Sequence, residues 1–174
     1  MDVDFLLIRN MKKGNADAID VFVRKYYDDI LKYCTYHCSD SIYAEDLTQE
    51  TFLHFFTKLS DYHHMGKAKN YLYTIAGNLC KNYYKKAKET VLEEDVLFNQ
   101  SQTTEFASDV LTKLEVERAL EQLSYELKDI VILYYFQELK LSEIASVLDI
   151  GLPLVKYRMK QAKIQLSKIL EREA

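Results

Sequence analysis

Apolar positions recur every three or four residues along most of this chain, the spacing that keeps side chains on one face of an α-helix. Between residues 15 and 38 the set Ile19, Phe22, Val23, Tyr26, Ile30 and Tyr33 falls on such a face, and Asn15, following Gly14, is placed to cap the helix. A shorter helix over residues 4–12 precedes it. The cluster Ser39-Asp40-Ser41 interrupts the pattern and offers capping oxygens to a second long helix, running to about residue 59, with Phe52, Phe55 and Leu59 on its apolar side. A polar loop, residues 60–66, leads into a third long helix over residues 67–88, whose apolar side is Leu72, Ile75, Ala76, Leu79 and Tyr83.

The pattern dissolves over residues 89–110, an acidic, polar linker that also carries Val91, Leu92, Val96, Leu97 and Phe98, side chains suited to docking on a surface. It resumes in helices over residues 111–123, 125–137, 142–148 and 153–170. The run Leu141 to Gly151 has the form of the first helix and turn of a helix-turn-helix. Ser142 is its expected cap, Ile144, Ala145 and Leu148 its buried face, and small Ala145 lets the next helix approach. Pro153 suits the first turn of that helix, where a missing N–H costs nothing. Val155, Met159, Ala162 and Leu166 point inward there, while Lys156, Tyr157, Lys160 and Gln161 lie opposite, in the half of a recognition helix that reaches base edges.

Composition agrees with helices throughout: four Gly and one Pro are too few for the tight turns of a β chain, so the expected fold is all-α. A length of 174 residues admits one ordinary core or two small ones. No apolar run reaches the roughly 18 residues of a membrane span, and the acidic start, Asp2 and Asp4, lacks a signal-peptide character, so the expected location is cytoplasmic without membrane insertion. Cys34, Cys38 and Cys80 are an odd number, expected as reduced thiols. Cys34, His37 and Cys38 share a helical turn, but zinc takes four ligands and no second pair lies near in sequence. Neither a phosphate-cradling Gly-rich loop nor a nucleophile, base and acid at favourable spacing is present. No metal, cofactor or catalytic residue is therefore expected, and no enzyme.

A net charge of −4 argues against nucleic acid until the charges are placed. Residues 67–88 hold six lysines and no acid, and residues 150–170 hold four lysines with Arg158, again without an acid. Either run alone reads as a solvated helix face; two, on separate expected domains, favour footprints on phosphate. On the third helix a second face gathers Tyr71, Thr74, Asn78, Lys81, Asn82 and Lys85, lysines for phosphate, a ring for stacking and amides for base edges. On the second helix Asp46, Gln49, Glu50 and Leu53 share a face opposite the apolar one.

Ala119 to Leu123, Ile130 to Phe136 and Leu139, together with the helix-turn-helix, resemble region 4 of RNA polymerase sigma factors. Ala44-Glu45-Asp46-Leu47-Thr48-Gln49-Glu50-Thr51-Phe52 and Tyr71 to Tyr83 resemble region 2. The chain is thus similar to sigma factors of the extracytoplasmic-function group. The resemblance implies a region 2 helical bundle over residues 1–88, an acidic linker over 89–110 and a region 4 helix-turn-helix domain over 111–174. It implies core RNA polymerase as partner, through the β′ clamp helices against Asp46, Gln49, Glu50 and Leu53 and through the β flap, with promoter DNA and an anti-sigma factor besides. The third helix would open the minus-ten element, and the loop before it would pocket a flipped base with Tyr62, His63 and His64. Lys156, Tyr157, Lys160 and Gln161 would contact the minus-thirty-five element.

The chain departs from the family at Tyr71, usually Trp, Gly77, usually Arg, Asn82, usually Asp, and Ser124, usually Pro. Leu152-Pro153-Leu154 and Tyr157 also depart. Two other readings are a stand-alone helix-turn-helix regulator, which leaves the Asp46, Gln49, Glu50 face unexplained, and a helical interaction module, which leaves two acid-free basic helices unexplained. With a negative net charge and two small footprints to hold at fixed spacing, the free chain should bind promoter DNA weakly.

Overall fold

The computed structural model describes residues 3–93 and 108–173, and across these residues the chain is helical, without a strand. Helix α1 (Val3–Lys12) packs on α2 (Ala16–His37), which begins where its cap dictates. Asn15 Oδ1 accepts from the N–H groups of Asp17 at 2.9 Å and Ala18 at 3.2 Å, after Gly14 has turned the chain at φ +82°. Buried Asp4 ties the two helices together by accepting from the Tyr26 hydroxyl and from Lys25 Nζ at 2.7 Å. Helix α3 (Ser41–Thr57) is capped by Asp40, whose Oδ1 accepts from Ile42 N–H at 2.9 Å. A 3₁₀ turn (Leu59–Asp61) and a loop lead to α4 (Ala68–Glu93), which runs past residue 88, where its periodicity suggested an end. Phe22 lies at the centre of this half, its ring stacked on Phe55 at 4.9 Å and edge-on to Tyr26 at 5.2 Å.

The second half comprises α5 (Ser108–Glu121), α6 (Tyr125–Val131), α7 (Leu141–Leu148) and α8 (Leu152–Glu173). Of the linker side chains expected to dock, Val96, Leu97 and Phe98 lie outside the described residues, and of Val91 and Leu92 only the backbone is described. Three local expectations are corrected. Residues 125–137 are not one α-helix, because α6 gives way to a π-helical turn (Ile132–Phe136). Ser142 does not cap α7: the cap position falls on Lys140, without a side-chain bond, and Ser142 sits exposed in the first turn. The buried face of α7 is Ile144 and Val147, with Ala145 and Leu148 only half-buried. Asp149 ends α7 in the left-handed region, φ 53°, a conformation Asp tolerates better than most residues, and Ile150 N–H returns to the Ala145 carbonyl at 3.1 Å.

The two halves are packed together. One apolar cluster runs from Phe22, Tyr33, Leu72 and Tyr73 through Ile130, Ile132 and Leu133 to Ile144, Val147 and Val155. Polar bonds cross the same seam. Asp129 Oδ1 accepts from the Tyr33 hydroxyl at 2.7 Å and lies 2.9 Å from His37 Nε2. The π turn ends at Gln137, whose Oε1 accepts from the Tyr73 hydroxyl at 2.5 Å. Tyr125 donates to the Gly77 carbonyl at 3.3 Å. His37 Nδ1 and Gln137 Nε2, both buried in the seam, find no protein partner, a cost of about 1–3 kcal/mol for such a group.

Burial, reinforced by the Asp129 charge, pushes the Tyr33 hydroxyl well above the usual phenol range, and burial does the same at Tyr73 and Tyr125. All three are therefore fixed donors at working pH. A separated tyrosine ionises near pH 10, so the stabilisation from these protonated hydroxyls is full below about pH 10 and is lost as pH rises through the raised values. An alkaline titration followed by phenolate absorbance should show a late phase that coincides with loss of tertiary packing. Ionisation of all fourteen tyrosines in one ordinary phenol transition, with packing intact, would contradict this seam.

Candidate nucleic-acid interface

Helix α3 presents the first of three outward faces. Its inward side is Ala44, Leu47, Thr48, Thr51, Phe52 and Phe55. Thr48 and Thr51 can be buried because their hydroxyls donate to the carbonyls of Ala44 and Leu47, both at 2.7 Å. Fixing that side leaves Asp46, Gln49, Glu50 and Leu53 all exposed, Leu53 by 64%. Glu50 is 3.6 Å from His54 one turn on, and no lysine or arginine of the described residues forms an ion pair with Asp46 or Glu50. An anionic patch with an uncovered leucine in its midst suits a partner that brings cations and an apolar contact.

The second face is built from the loop after α3 and from α4. Tyr62, from the loop, and Tyr71, from the helix, are packed together, rings 5.0 Å apart, both leaning on Phe55. The Tyr62 hydroxyl lies 3.2 Å from His64 Nδ1, and Lys12 Nζ donates to the Tyr62 carbonyl at 2.6 Å, which pins the loop to α1. His63 is exposed and stands apart from this aromatic group. Along α4, Asn78, Lys81, Asn82 and Lys85 form an exposed stripe. Thr74 does not belong to the exposed part: its hydroxyl is within reach of the Asn70 and Val147 carbonyls, at 3.2 and 3.0 Å, beneath α7.

The basic run of α4 is also divided. Lys67 pairs with Glu143 at 3.0 Å, and Lys69 pairs with Asp29 at 3.0 Å while lying over the Tyr73 ring. Positive charge available to an anionic ligand is thereby moved toward the second half of the helix, where Lys81, Lys85 and Lys88 are exposed.

The third face is on α8. Val155, Met159 and Ala162 are buried, which turns Lys156, Tyr157 and Lys160 outward, Tyr157 60% exposed, with Gln161 half-buried at the edge. Ser124, one of the departures noted above, caps α6 by accepting from Leu127 N–H at 3.4 Å.

Helix periodicity does not mark out the seam residues Tyr33, His37, Tyr73, Asp129 and Gln137 as a group. Weaker signals exist. Asp129 is a lone acid beside the apolar run from Ile130 to Leu133, and Tyr73 adjoins Leu72, so that α4 is buried on two sides. Cys34, Cys38 and Cys80 are buried thiols. Among the described residues no three His, Cys, Asp or Glu side chains are grouped to hold a metal ion, and no helix is long and apolar enough to cross a membrane.

Among the described residues, whose elements are all helical, three outward faces stand out, one anionic and two basic, beside a helix-turn-helix pair, α7–α8, an arrangement of the helix-turn-helix class suited to nucleic acid. Residues 22–90 match the family described as Sigma-70 region 2, and residues 113–166 match Sigma-70, region 4. RNA polymerase sigma factor YlaC of Bacillus subtilis (strain 168) is 31% identical over 163 residues, covering 88% of this chain and 92% of that one. ECF RNA polymerase sigma factor SigW of the same organism is 28% identical over 176 residues, 94% of each. The fold is shared with CnrH, solved in complex with the cytosolic domain of CnrY, at TM-score 0.79 and 19% identity over 99% of this chain and 100% of that one. It is shared too with RpoE of Bartonella quintana, solved with the anti-sigma factor NepR, at TM-score 0.72 and 20% identity over 87% of this chain and 96% of that one. The chain belongs to the sigma-70 family of RNA polymerase sigma factors, in its extracytoplasmic-function group. It directs transcription.

Proposed function

We propose that residues 1–88 dock on core RNA polymerase and open the minus-ten element, that residues 111–174 contact the minus-thirty-five element, and that residues 89–110 link them. The observation that carries this is the pairing, within one half, of the anionic α3 face with the exposed Asn78, Lys81, Asn82, Lys85 stripe of α4. Asp46, Gln49, Glu50 and Leu53 meet the β′ clamp helices. Tyr62, His64 and Tyr71 supply a stacking platform, the exposed His63 of the same loop meets DNA outside that group, and Lys81 and Lys85 hold phosphates. Thr74 joins this surface only when α7 is displaced. Lys156, Tyr157, Lys160 and Gln161 face the upstream element, region 4 resting on the β flap. The protein works in the cytoplasm, where its polymerase and promoters are, without a cofactor or chemistry of its own. An anti-sigma factor, the kind of partner bound to the Bartonella protein, is the regulator this fold invites.

Reconstitution tests the proposal. Core polymerase supplied with this chain should initiate at a defined set of promoters, identified by sequencing the transcripts, and should not do so without it. Replacing Lys81 and Lys85 by Ala should lower the salt dependence of holoenzyme binding to single-stranded non-template DNA, by about 0.7 in the log–log slope for each phosphate no longer neutralised. An unchanged slope would remove these two lysines from the DNA surface.

A further inference from the structure

The outward side of α8 is apolar at the end where a recognition helix meets base edges. We propose that Leu154 and Tyr157 select thymine in the upstream promoter element, by packing on the 5-methyl groups of two thymines in the major groove. This rests on the assignment of α8 to upstream DNA given above, and adds the base that the helix selects.

Placement follows from the helix step. Val155, Met159 and Ala162 are buried, and at 100° per residue the direction opposite them is taken by Tyr157, with Leu154 beside it one turn nearer the N-terminus. Neither is covered by the fold: Leu154 is 39% exposed and Tyr157 60%. Residues three apart on a helix have Cβ atoms about 5–6 Å from one another, and bases along one strand rise by about 3.4 Å. The two side chains therefore reach bases about one or two steps apart. Lys156 and Lys160, both exposed, flank Tyr157 on the side away from Leu154, where they suit phosphates.

The chemistry of the groove then decides what such a pair can read. Every base pair presents hydrogen-bonding groups there, and of the four standard bases thymine alone adds a methyl group. Leu154 has no hydrogen bond to offer, so a donor or acceptor pressed against it is left unpaired, at a cost, whereas a methyl group is matched. Residues 152–170 carry no acid, so the N4 amino group of cytosine finds no carboxylate on this stretch.

The start of the helix adds to the bias. Pro153 has no N–H, and the N–H groups of Leu154 and Val155 turn back to the Gly151 carbonyl at 3.1 and 3.2 Å. The end of α8 is thus short of the free donors with which a helix N-terminus grips phosphate. Contact at this end falls to side chains, and those of Pro153, Leu154 and Tyr157 are exposed. The departures at Leu152-Pro153-Leu154 and at Tyr157 thereby share one consequence, an apolar contact where base edges are met.

Core polymerase reconstituted with the full chain tests the contact on promoter fragments selected from a pool with a randomised upstream element. Selected fragments should be enriched in thymine at two neighbouring positions. Replacing either thymine by deoxyuridine, which removes the methyl group and nothing else, should weaken binding in competition by about fourfold, the equivalent of one buried methyl group. With the double variant Leu154→Ser, Tyr157→Ser, thymine and deoxyuridine fragments should bind alike. Both residues are exposed, so helix content should be kept, which circular dichroism verifies. Wild-type binding indifferent to the methyl groups, or undiminished discrimination by the double variant, would overturn the proposal. So would a double variant that binds core polymerase less well in the absence of DNA, since the apolar face would then dock on protein.

Lys156→Ala combined with Lys160→Ala separates failure of the thymine contact from failure of the reading beneath it. The pair should lower the salt dependence of binding to the upstream duplex, by about 0.9 in the log–log slope for each phosphate no longer neutralised, and leave the preference for thymine over deoxyuridine in place. A lowered slope beside indifference to the methyl groups would overturn the thymine contact alone. An unchanged slope beside the same indifference would take the assignment of α8 to DNA with it.

Discussion

Asp46→Lys combined with Glu50→Lys is expected to abolish co-purification with core polymerase, a loss of at least about 100-fold in affinity, while the protein keeps its helix content and its unfolding midpoint. Both residues are exposed on α3, one turn apart, and no lysine or arginine of the described residues forms an ion pair with either. Like charges at this spacing mildly destabilise an isolated helix, so in the free chain their juxtaposition is a small burden. A basic partner turns the burden into attraction. Reversal then does more than delete the attraction, because it sets cation against cation, and close interfacial charge pairs are among the contacts whose disruption weakens complexes most. Exposed substitutions away from caps and cores barely alter stability, so a folding defect does not account for such a loss. Leu53→Ala, which removes only an apolar contact at 64% exposure, should cost less. A doubly reversed protein that still binds core polymerase as wild type does would detach this face from the clamp.

Why that face is legible in the sequence, and the seam is not, follows from the range of the interactions. Helix periodicity is local: once Phe52 and Phe55 are assigned inward, the 100° step per residue sends Asp46, Gln49 and Glu50 outward without further information. Caps are equally local, and Asn15 and Asp40 cap the helices that their neighbours foreshadow. Ser142 fails by the same logic, since an oxygen two residues inside a helix no longer faces the free N–H groups, and only backbone geometry shows which residue holds the cap. The bonds from Asp129 to Tyr33 and His37 join positions 96 and 92 residues apart, and no periodicity encodes a pairing of that kind.

The exposed and covered parts of α4 show the same division. Periodicity makes one outward surface of Asn78, Lys81, Asn82 and Lys85 with Tyr71 and Thr74, and all six do share a side of the helix. What periodicity omits is the neighbour: α7 covers Thr74 and the Phe55 ring takes Tyr71. The Gly77 departure, legible as a departure, meets its neighbour only in the fold, where Tyr33 Oη lies 3.0 Å from the position a Cβ would take, a tight contact.

Truncating the central ring of the N-terminal half, Phe22→Ala, should have the largest effect on stability of any substitution considered. Phe22 is fully buried, stacked on Phe55 and edge-on to Tyr26, Phe52 and Phe56. Removing a buried phenylalanine ring costs about 3–5 kcal/mol, transfer and cavity together, against a total stability of about 5–15 kcal/mol for an ordinary domain. The consequence reaches function through α3. Phe52 and Phe55 set the rotation of that helix by packing on Phe22, and with the ring gone the outward angle of Asp46, Gln49 and Glu50 is no longer fixed. Polymerase binding should therefore fall together with the unfolding midpoint, in contrast to the charge reversal, which should lower binding alone. Phe22→Leu, keeping most of the volume, should recover much of both. Chemical denaturation gives the first quantity and co-purification the second; a Phe22→Ala protein with an unaltered midpoint would show that this cluster does not hold the half together.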